Sequence, residues 1–240
     1  MNIGYVLYTG PSLIDGKPIA VIATMASNNE KTGLPGKRNM IQTWIIRTDI
    51  EPHTAQKTGA DFSVCGDCMH RPKNGNTCYV TTFQAPLSVY RAYHRGSYSN
   101  DVKQFYSDIK NRRVRFGAYG DPAAAPASLW QTIADNCAGH SGYTHQWNRP
   151  DFDRALLNVV MASVDSPEEA ELSDSRYFRV KTAESTALPG EIECLSDSRG
   201  MLCADCLLCD GAGRGKGKSV YINVHGSKAN NFSAGIIASA

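Results

Sequence analysis

Seven of the eight cysteines in this 240-residue chain fall into two compact groups, and that grouping constrains the fold more than any other feature. The first group is Cys65-Gly-Asp-Cys68, followed after nine intervening residues by Cys78. The second is Cys194 and then Cys203-Ala-Asp-Cys206-Leu-Leu-Cys209. Thiolates two residues apart on a turn point the same way, as a tetrahedral metal or an iron–sulfur cluster requires. A disulfide framework is the competing account, because the cysteine count is even. The short spacing at 203, 206 and 209 is awkward for disulfides and natural for a chelate. A chain of this length also buries a core without covalent staples. The expectation is therefore a protein with cysteine-ligated metal centres.

Composition narrows the class. A hydrophobic content of 42% with 20% charged residues describes a globular chain, not a disordered one. No apolar run reaches the roughly twenty residues that cross a bilayer, so no membrane partner is expected. The opening Met-Asn-Ile-Gly-Tyr-Val lacks a basic or long apolar leader pattern, from which a cytoplasmic location is expected. Net charge is +2, so global charge does not call for nucleic acid. Two basic clusters, Lys110 to Arg115 and Arg214 to Lys218, read first as solvated loops or strand ends.

The order of elements predicts an α/β fold. Residues 3–9 and 18–25 flank a turn at Asp15-Gly16 and read as a β-hairpin, and 41–49 alternates as a third strand. The polar stretch 28–39 reads as a loop, and 52–57 as a short helix ended by Gly59. Helix and strand then alternate. Ser99-Asn-Asp opens a helix with Val102, Phe105, Tyr106 and Ile109 on one face, and 114–116 is a short strand. Residues 127–138 form a helix with Leu129, Trp130, Ile133 and Cys137 inward, closed by Gly139, which makes Cys137 a core residue. Residues 142–147 and 156–162 are strand-like, the latter alternatively the end of a helix begun at Asp151. Ser166-Pro-Glu-Glu169 starts a helix, and 177–180, 191–194 and 219–225 are strands. Alternation of this kind implies a mainly parallel sheet or a partial (β/α) barrel carrying an N-terminal β-hairpin and cysteine-rich metal-binding loops. The division expected is residues 1–50 for the hairpin and third strand, and 51–240 for the partial barrel with both cysteine segments.

In parallel α/β architectures the loops at the carboxyl ends of strands converge on one face, which carries the site. The first cysteine group lies in such a loop. Its three thiols are one short of a closed set, and His70, His94 or a small molecule is the candidate fourth ligand. Either one iron is left open for a cofactor, or a histidine completes a structural zinc. The second group has four cysteines and closes a site alone, more often a folding device than an active one. Gly117-Ala-Tyr-Gly120-Asp121-Pro ends a strand, where glycines admit close backbone approach and Asp121 can accept from an amine or a hydroxyl; a tight turn with Asp121 as a cap is the alternative. His145 and His225 sit near strand ends, and His140 is a further scattered histidine. The glycine-rich run 211–219 carries Ala212 where a P-loop needs glycine and precedes a strand, so nucleotide triphosphate binding is rejected. No Gly-x-Ser-x-Gly elbow supports a serine hydrolase.

The three-cysteine loop closing in Thr77-Cys78-Tyr79-Val80, the Gly117-Ala-Tyr-Gly-Asp121 strand end and the cysteine-rich C-terminal segment together resemble radical S-adenosylmethionine (SAM) proteins. The likeness is greatest to the small phage-encoded members with shortened barrels, and it spans roughly residues 60–226. The spacing here is C-x2-C-x9-C, where that family usually has C-x3-C-x2-C. The resemblance implies a [4Fe–4S] cluster on Cys65, Cys68 and Cys78, with SAM on its open iron and Gly117, Gly120 and Asp121 beside the SAM. It also implies that Cys194, Cys203, Cys206 and Cys209 hold an auxiliary cluster or Zn2+. A phage-encoded protein would work in the bacterial host cytosol. The alternative is a non-catalytic, zinc-stabilised accessory module that contacts nucleic acid or a host protein through the basic loop 214–218.

Overall fold

The computed structural model describes residues 3–25, 40–182, 184–212, 217–225 and 229–232. The first strands, β1 (Gly4–Pro11) and β2 (Pro18–Thr24), pair antiparallel as a hairpin whose turn carries Gly16 at φ 76°. β3 (Ile41–Arg47) pairs antiparallel with β2. Helices α1 (Pro52–Thr58) and α2 (Phe62–Cys65) lead into the first cysteine loop, and Gly59 ends α1 in the left-handed conformation at φ 87°, as expected. Helix α3 (Ala85–His94) is a helix the sequence reading left unassigned. The acceptor of Asp101 starts α4 (Val102–Ile109) by capping Gln104 N–H, with Phe105 and Ile109 buried.

β4 (Arg113–Tyr119) runs parallel to β3, and α5 (Ala127–Asn136) follows. The predicted helix 127–138 stops two residues early. Cys137 turns extended (φ −106°, ψ 165°), its thiol donates to Gly139 O at 3.2 Å, and Gly139 opens a strand rather than closing the helix. Cys137 packs against the main core, as its place on the inward face suggested. That strand is β5 (Gly139–Ser141), and β6 (Tyr143–Thr144) follows after Gly142. A 3-10 turn at Arg154–Asn158 precedes β7 (Met161–Val164), so the stretch 156–162 is a turn of helix and then a strand. Ser166 caps α6 (Pro167–Leu172) by accepting from Glu169 N–H. β8 (Tyr177–Lys181), β9 (Glu191–Glu193), α7 (Leu195–Arg199), α8 (Cys203–Cys206) and β10 (Ser219–Asn223) complete the described order.

The strands form two five-stranded sheets. One has the order β1-β2-β3-β4-β5, antiparallel through its N-terminal strands and parallel from β3 onward. The other, β6-β7-β8-β10-β9, is parallel throughout. Gly142 joins them: its carbonyl accepts from Met161 N–H at 3.0 Å, so the chain leaves one sheet at β5 and enters the other at β6 with a single intervening residue. Tyr5, Ile22, Ile45, Phe105, Phe116 and Trp130 lie in one buried cluster, so the hairpin and the strands after it share a core. Among the described residues no helix is long and apolar enough to cross a membrane. The predicted loop at 28–39 lies outside the described residues.

Candidate metal centres

The first cysteine loop is fixed by a buried ion pair. Arg71 donates to both carboxylate oxygens of Asp61, at 3.0 and 2.7 Å, and to the carbonyls of Gly66 and Gly59 at 3.0 and 2.9 Å. Asp61 heads α2, which ends at Cys65, so the pair ties the start of the loop to its middle. Gly66 turns the chain at φ 54°, and a Cβ there would lie 2.0 Å from Gln146 Oε1. The Gln146 amide brackets that turn, accepting from Asp67 N–H at 3.1 Å and donating to Cys65 O at 3.0 Å. Cys78 returns to the loop through its N–H, which donates to His70 O at 2.8 Å.

This loop lies on the carboxyl ends of the parallel strands. Asp121, just past β4, donates its N–H to Val64 O at 2.6 Å. His145, just past β6, donates its N–H to Asp121 Oδ2 at 2.8 Å. Asp165, just past β7, meets His70 Nε2 at 3.1 Å and His145 Nε2 at 3.3 Å. Three strand ends and one loop thus meet at a common rim, the place where parallel architectures build sites.

Burial pushes the Cys65 thiol well above its usual range, and Cys68, Asp61, Cys78 and Asp121 add to it. A metal ion bound here would have to displace the Cys65 proton, so its affinity would rise with pH. Tyr119 points into the same place. It is 5% exposed, its hydroxyl is buried without a hydrogen-bond partner, and Cys65 and Cys78 act on it after burial in raising its pKa. An orphaned buried hydroxyl beside thiols fits a site that receives a further group.

The residues expected on the SAM side have internal partners. Gly117 and Gly120 adopt φ 65° and 82°, but a Cβ at Gly120 would lie 2.7 Å from Ile45 Cβ, and one at Gly117 2.5 Å from Gly120 O. Their freedom serves the close packing of β4 against β3 and the turn after it. Asp121 accepts from Ala123 N–H at 2.9 Å and from His145 N–H, so it caps the following turn as well as bordering the rim. His94 ends α3, its ring 4.3 Å from that of Tyr90. His70 is in the loop, with Nδ1 2.6 Å from Thr77 Oγ1.

The second cysteine group docks on the junction between the sheets. Arg176 donates to Leu208 O and Gly211 O at 2.6 and 2.7 Å and pairs with Asp210 at 3.1 Å. Gly142 N–H donates to Cys209 O at 3.0 Å, and His140 Nε2 meets Asp210 O at 2.9 Å. Cys194 follows β9, with its N–H on Tyr221 O at 2.8 Å. Burial pushes the Cys209 thiol up to about 12; the Tyr143 side chain opposes this, and Cys194, Cys203 and Cys206 add to it. The other three cysteines of the group therefore lie within electrostatic reach of Cys209. His225 borders β10, its Nδ1 2.9 Å from Asn223 O.

Sequence reasoning missed Asp165, Tyr119, Gln146 and the Asp61–Arg71 pair. Asp165 carried a readable signal, a carboxylate at the end of an apolar strand and directly before a helix cap. No protein-family description, curated protein or solved structure matches the chain.

Proposed function

We propose that the chain is an iron–sulfur protein of radical-SAM-like type, with a [4Fe–4S] cluster on Cys65, Cys68 and Cys78 at the rim of a partial barrel formed by the two joined sheets. The observation that carries this reading is the delivery of three thiols by one loop to the carboxyl ends of β4, β6 and β7.

The chemistry such a cluster supplies when SAM is bound is one-electron reductive cleavage that starts radical chemistry. The chain's own residues hold and shape the site. Asp61 and Arg71 lock the loop, Gln146 sets its turn, and the buried Tyr119 hydroxyl is a donor that a bound group would take up. Asp121 accepts from two backbone donors and the Thr144 side chain, and its remaining lone pair would suit the amino group of SAM.

Anaerobic purification with iron and sulfide analysis tests this. About four of each per chain, or about eight if the second group also holds a cluster, is expected. Cys68→Ala should lose the brown colour of the first cluster and all 5′-deoxyadenosine formation; undiminished product from that variant refutes SAM cleavage at this site.

The second reading is a zinc-stabilised binding module, favoured by the four-cysteine group, which saturates an ion without help. It expects stoichiometric zinc, a colourless protein and, with nucleic acid as partner, binding that weakens as salt rises. Of the basic loop, Arg214 and Lys216 lie outside the described residues, while the Lys218 carbonyl accepts from Arg176.

A further inference from the structure

Beside the cysteine loop lies a group of non-sulfur ligands that no part of the cluster reading uses. His70, His145 and Asp165 each offer a ligand atom, and the three atoms lie within 4.8 Å of one another. They come from three separate segments: the cysteine loop, the end of β6 and the end of β7. We propose that these residues bind a divalent transition metal ion of the zinc or ferrous type, as a two-histidine, one-carboxylate site with positions left for water or an oxygen-donor ligand.

The spacing argues for a shared ion. Metal–nitrogen and metal–oxygen bonds of about 2.0–2.2 Å put neighbouring ligand atoms about 2.8–3.6 Å apart, from octahedral to tetrahedral geometry. Asp165 Oδ1 lies 3.1 Å from His70 Nε2, and Oδ2 lies 3.3 Å from His145 Nε2. The second is a close charge contact on a buried nitrogen, His145 Nε2, whose alignment falls short of a hydrogen bond. Two imidazoles that converge on one ion meet at an angle, and these rings are 82° apart with centroids at 5.1 Å.

Each ligand is held from behind, as metal ligands are. His70 Nδ1 is engaged by Thr77 Oγ1 at 2.6 Å, which leaves Nε2 to face the carboxylate. Asp165 donates its N–H to Glu169 Oε2 at 2.7 Å, and Glu169 belongs to the capped first turn of α6. His145 is pinned through its N–H by Asp121. Phe232, 2% exposed, stacks on the His70 ring at 5.8 Å and shields one side. Cys68 also meets the His145 side chain, so the site adjoins the cysteine loop.

Manganese is a suitable probe because it favours nitrogen and oxygen ligands over thiolates. The full chain, purified anaerobically with its cysteine centres as isolated, would be treated with a weak chelator and titrated with Mn2+. The EPR signal of free aqueous Mn2+ reads the binding. One saturable site per chain is expected, displaced by Zn2+, at least tenfold weaker in Asp165→Asn and His145→Gln, and unchanged in Lys103→Ala, an exposed position on α4. Thermal melts confirm that the variants are folded. Absence of saturable binding by the wild type overturns the proposal, as does wild-type affinity in both folded variants. Iron and sulfide in the same samples report the cysteine centres separately. Manganese binding without iron therefore sinks the cluster reading alone, and iron without manganese binding sinks this one alone.

Discussion

Replacing Arg71 with methionine tests whether the Asp61–Arg71 pair is what holds the first cysteine loop. Side-chain exposure is 8% for Arg71 and 3% for Asp61, so the substitution strands a carboxylate away from water. Removing one partner of a buried pair costs about 3–5 kcal/mol, against about 1–3 kcal/mol for the two carbonyl hydrogen bonds to Gly59 and Gly66 taken alone. At about 2–4 °C per kcal/mol for a chain of this size, Arg71→Met should lower Tm by roughly 6–20 °C. Exchanging both partners, in Arg71→Met with Asp61→Leu, removes the stranded charge. That double variant should lose only the carbonyl bonds and melt above the single one. Calorimetry of the four-member cycle measures both effects, and metal analysis of each member reports whether the loop still assembles. A single variant that melts within about 2 °C of wild type would refute the reasoning, and so would a double variant that shows the sum of the two single losses.

Two further expectations rest on other contacts. Burial works against the charge of Glu191, but the two 2.7 Å bonds from Arg179 and the Leu188 N–H outweigh it and hold the carboxyl below its ordinary 4.5. A depressed carboxylate contributes stability that is complete above its ordinary value and is lost as pH falls through its folded value. Glu191→Gln should therefore be markedly less stable than wild type at pH 7, with the gap narrowing below about pH 4.5. Denaturant titrations from pH 7 to 3 check this, and a gap constant over that range would count against it. Gly66→Ala places a Cβ into Gln146 at a left-handed position, which should cost about 1–3 kcal/mol. It should also empty the first centre while the second stays loaded. Unchanged metal at the first centre would show that the turn does not set the loop.

Local signals carried most of the fold. Asp15-Gly16, Gly59 and Ser166 each named a turn, a helix end or a helix start correctly, because those conformations depend on a few adjacent residues. The strand–helix alternation likewise announced parallel pairing. Elements with weak local patterns were misread. β5 is only three residues long and starts at a glycine that looked like a helix end. The candidate site was legible as cysteines and illegible as a rim. Asp165 and His145 are twenty residues apart, and only the parallel register of β6 with β7 makes their strand ends neighbours. The Asp61–Arg71 pair was illegible for the same reason: a bidentate contact is a property of the folded loop.

Arg115 lies between the two cysteine groups. Arg47, Arg71, Arg149, Arg176 and Arg179 each meet a carboxylate at 2.7–3.1 Å. Among the described residues Arg115 meets none; its Nη2 donates instead to Tyr79 Oη at 3.0 Å, one residue beyond Cys78. Tyr79 most strongly favours its charge, burial opposes it, and Tyr143 and then Cys203 add support. Phenols and free thiols are neutral near pH 7, so such neighbours balance a guanidinium poorly while the site is protonated. Four thiolates on one divalent ion carry a net charge of about −2, and Cys203 belongs to the group that would hold one. On the proposed reading, a cation on β4 between Tyr79 and Cys203 would gain its counter-charge as metal bound and thiol protons left. That reading gives an arginine without a carboxylate a role at this strand position, between the Cys78 loop and the second cysteine group.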